Sequence, residues 1–330
     1  MIERSSLGLP FSSMNSWTRT RRSDILGASL WPWMLRHQIL LGGTLLDSKP
    51  HEWRLAHGKQ LTLSSTSMLM GILNVTPDSF SDGGDHDDVE RAQAHARQMI
   101  AEGAAIIDVG GESTRPGATE VTPEEEQRRI LPVIEALAAE GNCIISVDTY
   151  RAETARRAVE AGAHIVNDVH GLQREPDIAH VAAETGAGLV IMHTGRGREK
   201  LPDVIEDQFH FLRRSLEIAH DAGVKDSQIV LDPGFGFAKD REEELTLMAR
   251  LGELHALGYP ILVGTSRKRM IGHLAGDDRL SRDVGTSATS VLLRMQGALI
   301  FRVHNIPFNR DALAFADAVL QRQVSPSETK

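Results

Sequence analysis

From about residue 66 the chain repeats one pattern. A short apolar run ends in a polar or glycine-rich turn, and a segment with helical spacing follows. The runs occupy residues 68–73, 105–109, 143–147, 164–166, 188–192, 228–231, 260–264 and 298–303. They are rich in β-branched side chains and nearly continuous in apolar character, as strands covered on both faces are. The intervening segments 89–102, 123–139, 152–161 and 204–222 carry helical spacing, and glycines at 103, 141, 162, 186 and 223 mark helix ends. Eight such units in about 255 residues predict a (β/α)8 TIM barrel, an α/β fold, rather than an open sheet. The short run 61–63 before the first unit predicts a small hairpin across the barrel floor. The expected organisation is one barrel domain over 51–322, a poorly ordered N-terminal extension over 1–50, and a polar, frayed tail over 323–330.

Composition narrows the function classes. The net charge is −9, and the Lys and Arg residues are scattered rather than gathered into a patch, which argues against nucleic acid. Residues 1–50 differ, with six Lys or Arg against three Asp or Glu and three of the four Trp, at 17, 31 and 33. Residues 25–35 follow Arg19, Arg21 and Arg22 in the manner of a signal peptide, but Pro32 interrupts the stretch and no small-residue cleavage site stands out. No other stretch approaches the roughly 20 apolar residues of a membrane span. A cytoplasmic protein with no membrane partner is expected. Cys143 is the only cysteine, which excludes an internal disulfide and a Cys-type metal site and predicts a buried structural thiol.

In a (β/α)8 barrel the chemistry lies at the C-terminal ends of the strands. There the sequence places Asn74, Asp108, Asp148, Asn167 with Asp168, His193, Asp232, the Ser266-Arg267-Lys268 turn, and Arg302 with His304. Each alone could cap a helix or brace a turn. Capping does not call for amide, carboxylate, imidazole and guanidinium together, so the set predicts a site. Asp148, Asn167 and Asp232 suit a flat ring edge bearing adjacent N–H donors. Arg302 and His304, two apart and on one face, suit phosphate oxygens, and Lys268 adds charge. Two connections, 74–84 and 110–117, are long and rich in turn residues, and Phe80 in the first points to a ligand-covering role.

These blocks resemble the dihydropteroate synthase family. The first is Gly71-Ile72-Leu73-Asn74-Val75-Thr76-Pro77-Asp78-Ser79-Phe80-Ser81-Asp82-Gly83-Gly84. The second is Asp108-Val109-Gly110-Gly111-Glu112-Ser113-Thr114-Arg115-Pro116-Gly117. Ser146–Thr149, Asn167–Val169, Met192-His193, Leu231–Phe237, Thr265–Lys268 and Arg302–His304 follow in family order. The resemblance implies an enzyme joining 6-hydroxymethyl-7,8-dihydropterin pyrophosphate to p-aminobenzoate, inhibited by sulfonamides and typically homodimeric. It implies that Asp148, Asn167, Asp232 and Lys268 hold the pterin, with Gly236 and Phe237 near its ring. Asn74, Arg302 and His304 would bind pyrophosphate, Asn74 with Mg²⁺. Phe80, Asp82, Thr114, Arg115 and Pro116 would close over p-aminobenzoate. Asp148, Lys268, Arg302, His304 and Asp82 are the expected catalytic set.

The chain departs from the family pattern at three places. Asn305 stands where members often have Asp, a change expected to loosen His304. Arg269 stands where some have Ser, and could receive the p-aminobenzoate carboxylate. Thr194-Gly195-Arg196-Gly197 replaces a Met-Gln-Gly pattern. Rival readings on the same fold are a pterin-dependent methyltransferase, which needs no pyrophosphate site, and a non-catalytic paralogue, marked by lost motif residues.

Overall fold

The computed structural model describes residues 50–76, 85–113 and 120–324. The expected disorder of 1–50 and the tail beyond Val324 lie outside the described residues, except for Pro50. Eight parallel strands form the barrel: β3 Met68–Asn74, β4 Ile106–Gly110, β5 Ile144–Asp148, β6 Ile165–Asp168, β7 Gly188–Met192, β8 Ile229–Asp232, β9 Leu262–Val263 and β10 Ile300–Val303. Their order is β8-β7-β6-β5-β4-β3-β10-β9, and a parallel bridge between Leu231 and Ile261 joins the two ends of the sheet. The expected eight strands are therefore all present. The seventh is the shortest, two residues instead of five; Pro260 has no N–H for the ladder, and Ile261 makes only an isolated bridge.

Helices cover the outside: α1 Asp85–Glu102, α2 Pro123–Glu140, α3 Ala152–Glu160, α4 Asp177–Thr185, α5 Val204–Asp221, α6 Arg241–Arg250, α7 Arg269–Ala275, α8 Arg279–Met295 and α9 Ile306–Val324. Several begin where the sequence supplies an acceptor for the free N–H groups of a first turn. Thr122 caps α2, Asp203 caps α5, Asp240 caps α6 and Asp278 caps α8. α9 runs two residues past the boundary expected at 322.

Strand alternation divides the apolar side chains into two cores. Outward-facing residues such as Leu69, Leu73, Ile107, Val109, Ile145 and Val147 pack under the helices, against Ile130, Ile134 and Leu137 of α2. Inward-facing Met70, Ile106, Ile165, Val190, Val230, Leu262 and Ile300 fill the lower half of the barrel. This floor is completed by an antiparallel hairpin, β1 His51–Arg54 and β2 Gln60–Leu63, in the place the run 61–63 predicts. Its Trp53 is fully buried, packs on Gly188 and donates its indole N–H to the Gln228 carbonyl at 2.7 Å.

A second tie holds the seam where the last strand meets the first. Arg294 of α8, 1% exposed, donates to Asp317 of α9 at 2.5 Å and to the Ser65 carbonyl at 2.6 Å, while Ser67 N–H and Oγ donate to Asp317. A buried guanidinium needs such partners, since an unpaired buried charge is costly.

Replacing Trp53 with Ala should remove the main filler of the floor. The expected loss is about 3–5 kcal/mol of unfolding free energy, read as a lowered urea midpoint.

Candidate active site

The upper half of the barrel interior is polar, because the inward positions of the strands change character toward their C-terminal ends. On β4 the inward series runs Ile106, Asp108, Gly110, and on β5 it runs Ile144, Ser146, Asp148. On β10 Ile300 faces the apolar floor and Arg302, two residues on, faces the polar region.

Arg302 is the centre of this layer. Its Nε donates to Asp108 Oδ2 at 2.6 Å and its Nη2 to Asp148 Oδ2 at 2.6 Å, so one guanidinium bridges carboxylates from two strands. Asn167 Nδ2 donates to the same Asp108 oxygen at 3.2 Å. Asp108 is fully buried, and its Oδ1 has no hydrogen-bond partner among the described residues; neither does Ser146 Oγ, its register neighbour. Burial and the nearby carboxylates, Asp108 first, push Asp148 up to about 7 despite the Arg302 ion pair. Arg302 itself is held firmly cationic by Asp108 and Asp148, against the cost of burial.

Asp232, Lys268 and Phe237 form the opposite wall. Asp232 Oδ1 accepts the Gly234 N–H at 2.7 Å, and burial raises its pKa against the opposing pull of Lys268. Lys268 donates to the Phe235 carbonyl, and its ammonium lies 4.8 Å from the Phe237 ring centre. Burial lowers the Lys268 pKa to about 8, with Asp232 acting against that shift. Gly236 has φ +80°, and a Cβ there would stand 2.8 Å from Lys268 Cδ, so no side chain fits between the turn and the lysine. Phe237, Tyr150, Val169 and Met192 form a small apolar cluster at this end of the barrel, distinct from both cores.

The structure brings together Asp148, Asn167, Arg302, Asp232, Lys268 and Phe237. Asn74 ends β3, in register with Gly110 beside Asp148. His304 follows β10, with Nδ1 2.9 Å from Ser266 Oγ, and the same oxygen accepts the His304 N–H at 3.1 Å. Phe80, Asp82, Thr114, Arg115 and Pro116 lie outside the described residues. Both flanks of 114–119 are nonetheless tied to one side chain: Arg151 donates to Glu112 at 2.7 Å and to the Val121 carbonyl at 2.7 Å.

Three strand-end residues belong elsewhere. His193 is fully buried on the outward side, against Phe211 and 2.9 Å from Asp207. Asp168 accepts the N–H groups of His170 and Leu172 and braces a turn. Asn305 donates its amide to Asp283 at 3.1 Å, and its Oδ1 accepts the Phe308 N–H. An Asp here would set two carboxylates side by side, so Asn suits the neighbour this chain has. Asp108, which the sequence reading gave no role, proves central; its position within an otherwise apolar, inward-alternating run was the available signal.

No group of three or more His, Cys, Asp or Glu that could hold a metal ion occurs among the described residues, and no helix there is long and apolar enough to cross a membrane.

A sequence model of the pterin binding enzyme family matches residues 70–304. Dihydropteroate synthase of Bacillus subtilis is 45% identical over 271 residues, covering 82% of this chain and 95% of that protein. The structure of Xanthomonas albilineans dihydropteroate synthase with 4-aminobenzoic acid superposes with a TM-score of 0.77 at 44% identity, covering 82% of this chain and 98% of the other. A Yersinia pestis dihydropteroate synthase in complex with a sulfonamide drug gives 0.75 at 42% identity, covering 81% and 98%. With the barrel and these matched blocks in place, the chain belongs to the dihydropteroate synthase family of pterin-binding enzymes.

Proposed function

We propose that this transferase condenses 6-hydroxymethyl-7,8-dihydropterin pyrophosphate with p-aminobenzoate, giving 7,8-dihydropteroate and pyrophosphate. The observation that carries the reading is Arg302 bridging Asp108 and Asp148 beside Asn167. It puts a fixed cation and ring-edge acceptors at one place, as breaking a bond between a pterin methylene and a phosphate oxygen requires.

In this reading Asp148, Asn167, Asp232 and Lys268 hold the pterin, with Phe237 against its ring. Arg302, His304 and Asn74 face the pyrophosphate. Negative charge grows on the leaving oxygen as the C–O bond breaks, and Arg302 and His304 oppose it. Positive charge spreads into the electron-rich pterin, where the Asp148 and Asp232 carboxylates stabilise it, so the step is SN1-like. The neutral aniline nitrogen then forms the C–N bond and loses its proton. Residues Phe80, Asp82, Thr114, Arg115 and Pro116 would cover the second substrate.

A resident metal cage is not what these residues offer, since Arg302 occupies the nearest carboxylates. They fit an ion that arrives with the pyrophosphate: Asn74 would add one amide oxygen to Mg²⁺ otherwise held by phosphate and water. Bound there, Mg²⁺ would supply charge neutralisation to the leaving group.

The assembly we propose is a homodimer. On α8, Leu280, Val284, Leu292 and Met295 are exposed, and on the adjacent α9 so are Phe308, Phe315 (80%) and Val319. On α9 the residues 308, 315 and 319 fall at helical spacing along one stripe, and such a patch favours self-association. Cys143, partly rather than fully buried against the outer core, has its thiol pushed up to about 11 by desolvation, which makes it a poor nucleophile near pH 7.

Four outcomes are expected. Purified protein given both substrates and Mg²⁺ should release pyrophosphate only with p-aminobenzoate present, and a sulfonamide should block the release; no p-aminobenzoate-dependent release from folded, pterin-binding protein would favour the non-catalytic paralogue. Arg302→Lys should lose at least about 100-fold in kcat/KM, because an ammonium cannot bridge two carboxylates as a planar fork does. A required Asp148 carboxylate gives kcat/KM an acid limb with its midpoint near pH 7, activity falling as pH drops below it; Asp148→Asn should leave residual activity without that limb. Light scattering should find a dimer that the double change Leu292→Glu and Phe315→Glu converts to monomer.

A further inference from the structure

Lys239 stands outside every role assigned so far, yet it is bonded to the turn that carries half of the site. That turn follows β8. Gly234 donates its N–H to Asp232 Oδ1 at 2.7 Å, and the Phe235 carbonyl accepts from Lys268. The position of this one backbone segment therefore sets both groups. Gly234 has φ +65°, and a Cβ on it would lie 1.9 Å from the His193 carbonyl oxygen, so the turn is seated against β7's end with no spare room.

Lys239 Nζ joins the two sides of that contact. It donates to the Gly234 carbonyl at 2.8 Å and lies 2.9 Å from His193 Nδ1. Burial pushes His193 down to about 3, so the imidazole is neutral near pH 7. Its Nε2 lies 2.9 Å from Asp207 Oδ2 and 2.9 Å from Arg198 Nη2; Arg198 also donates to Asp207, as does the Leu201 N–H. With Nε2–H donating to Asp207, Nδ1 is an acceptor and Lys239 its donor. The line of donors runs Lys239 to His193 to Asp207, from the site's turn to α5. Lys268, Asp232, Asp207 and Glu244 are the charges that act on Lys239, and burial followed by Lys268 brings it down to about 7.

We infer that Lys239 is a positioning residue for the pterin half of the reaction, clamping the turn 233–237 to His193 and so fixing where Asp232 and Lys268 stand. The inference rests on the proposed function, and it goes beyond it by separating the groups that hold the pterin ring from those that face its pyrophosphate. The Asp232–Lys268 wall is dictated by Lys239, whereas the groups facing pyrophosphate are held by the Arg302 bridge and by Ser266. Loss of the clamp therefore weakens the hold on the pterin ring and leaves the groups facing its pyrophosphate in place.

The test is steady-state kinetics on wild type, Lys239→Met and Lys239→Gln, with thermal melting of each. For Lys239→Met the KM for the pterin pyrophosphate should rise about tenfold, equivalent to about 1.4 kcal/mol. The KM for p-aminobenzoate should stay within about twofold, while kcat falls as well, because Asp232 also stabilises the cation that forms in the step. Lys239→Gln, which keeps a donor for the Gly234 carbonyl, should fall between and serves alone if the Met variant does not fold. An unchanged pterin KM, with only a lower melting temperature or a reduced kcat, would mean a brace of the fold and overturn the inference. Wild type that neither binds nor turns over the pterin pyrophosphate would overturn the functional reading, and this inference with it; wild type that works alongside a variant of unchanged pterin KM overturns this inference alone.

Discussion

A charge taken out of water must be matched where it sits. In this barrel that requirement falls on Arg302, whose guanidinium reaches the interior from β10 and meets Asp108 on β4 and Asp148 on β5. A lysine would offer its donors from one point rather than from the two separated nitrogens that reach two strands here, and an arginine with one partner would leave buried charge uncompensated. The bridge ties three strands of the closed sheet and places Asn167 through Asp108, and its pull on Asp148 does not cancel the upward push of burial on that carboxyl. On the other wall the charges of Asp232 and Lys268 act on each other, and both side chains are bonded to the backbone of one turn.

The apolar lower half makes that layer possible. Met70, Ile106, Val190 and Ile300 exclude water beneath the charges, and Trp53 seals the hairpin against them. In such surroundings an ion pair is strong and an unmatched group is expensive, so the geometry of the polar side chains is sharply defined. Preorganised charge of this kind needs no rearrangement when a leaving group becomes anionic.

Much of this was legible in the sequence, for a definite reason. Parallel strands covered on both faces leave uninterrupted apolar runs, and each run here ends where a polar side chain begins. What could not be read was direction. Asp148 and Arg302 face inward, whereas His193 and Asp168, equally placed at strand ends, turn outward into buried structural bonds, because one residue of shift reverses the face. Asp108 was read among the strand-end residues but given no partner, because its bond to Arg302 joins residues 194 apart. The effect of Asn305 depended on Asp283, 22 residues away, and Lys239 gains its partners only when a tight turn brings it under Gly234. These are tertiary facts with no local signature.

The hairpin at the floor has a further consequence. A vessel plugged at its base has one door, and whatever lies deepest in it must have entered first and must leave last. In the proposed reading, a ring seated against Asp108, Asp148 and Asn167 lies above the apolar floor, and a second reactant lodged over it becomes its stopper. Order of arrival is then written into the masonry: the deep guest precedes the shallow one, and traffic in the reverse sequence leads to a blocked corridor.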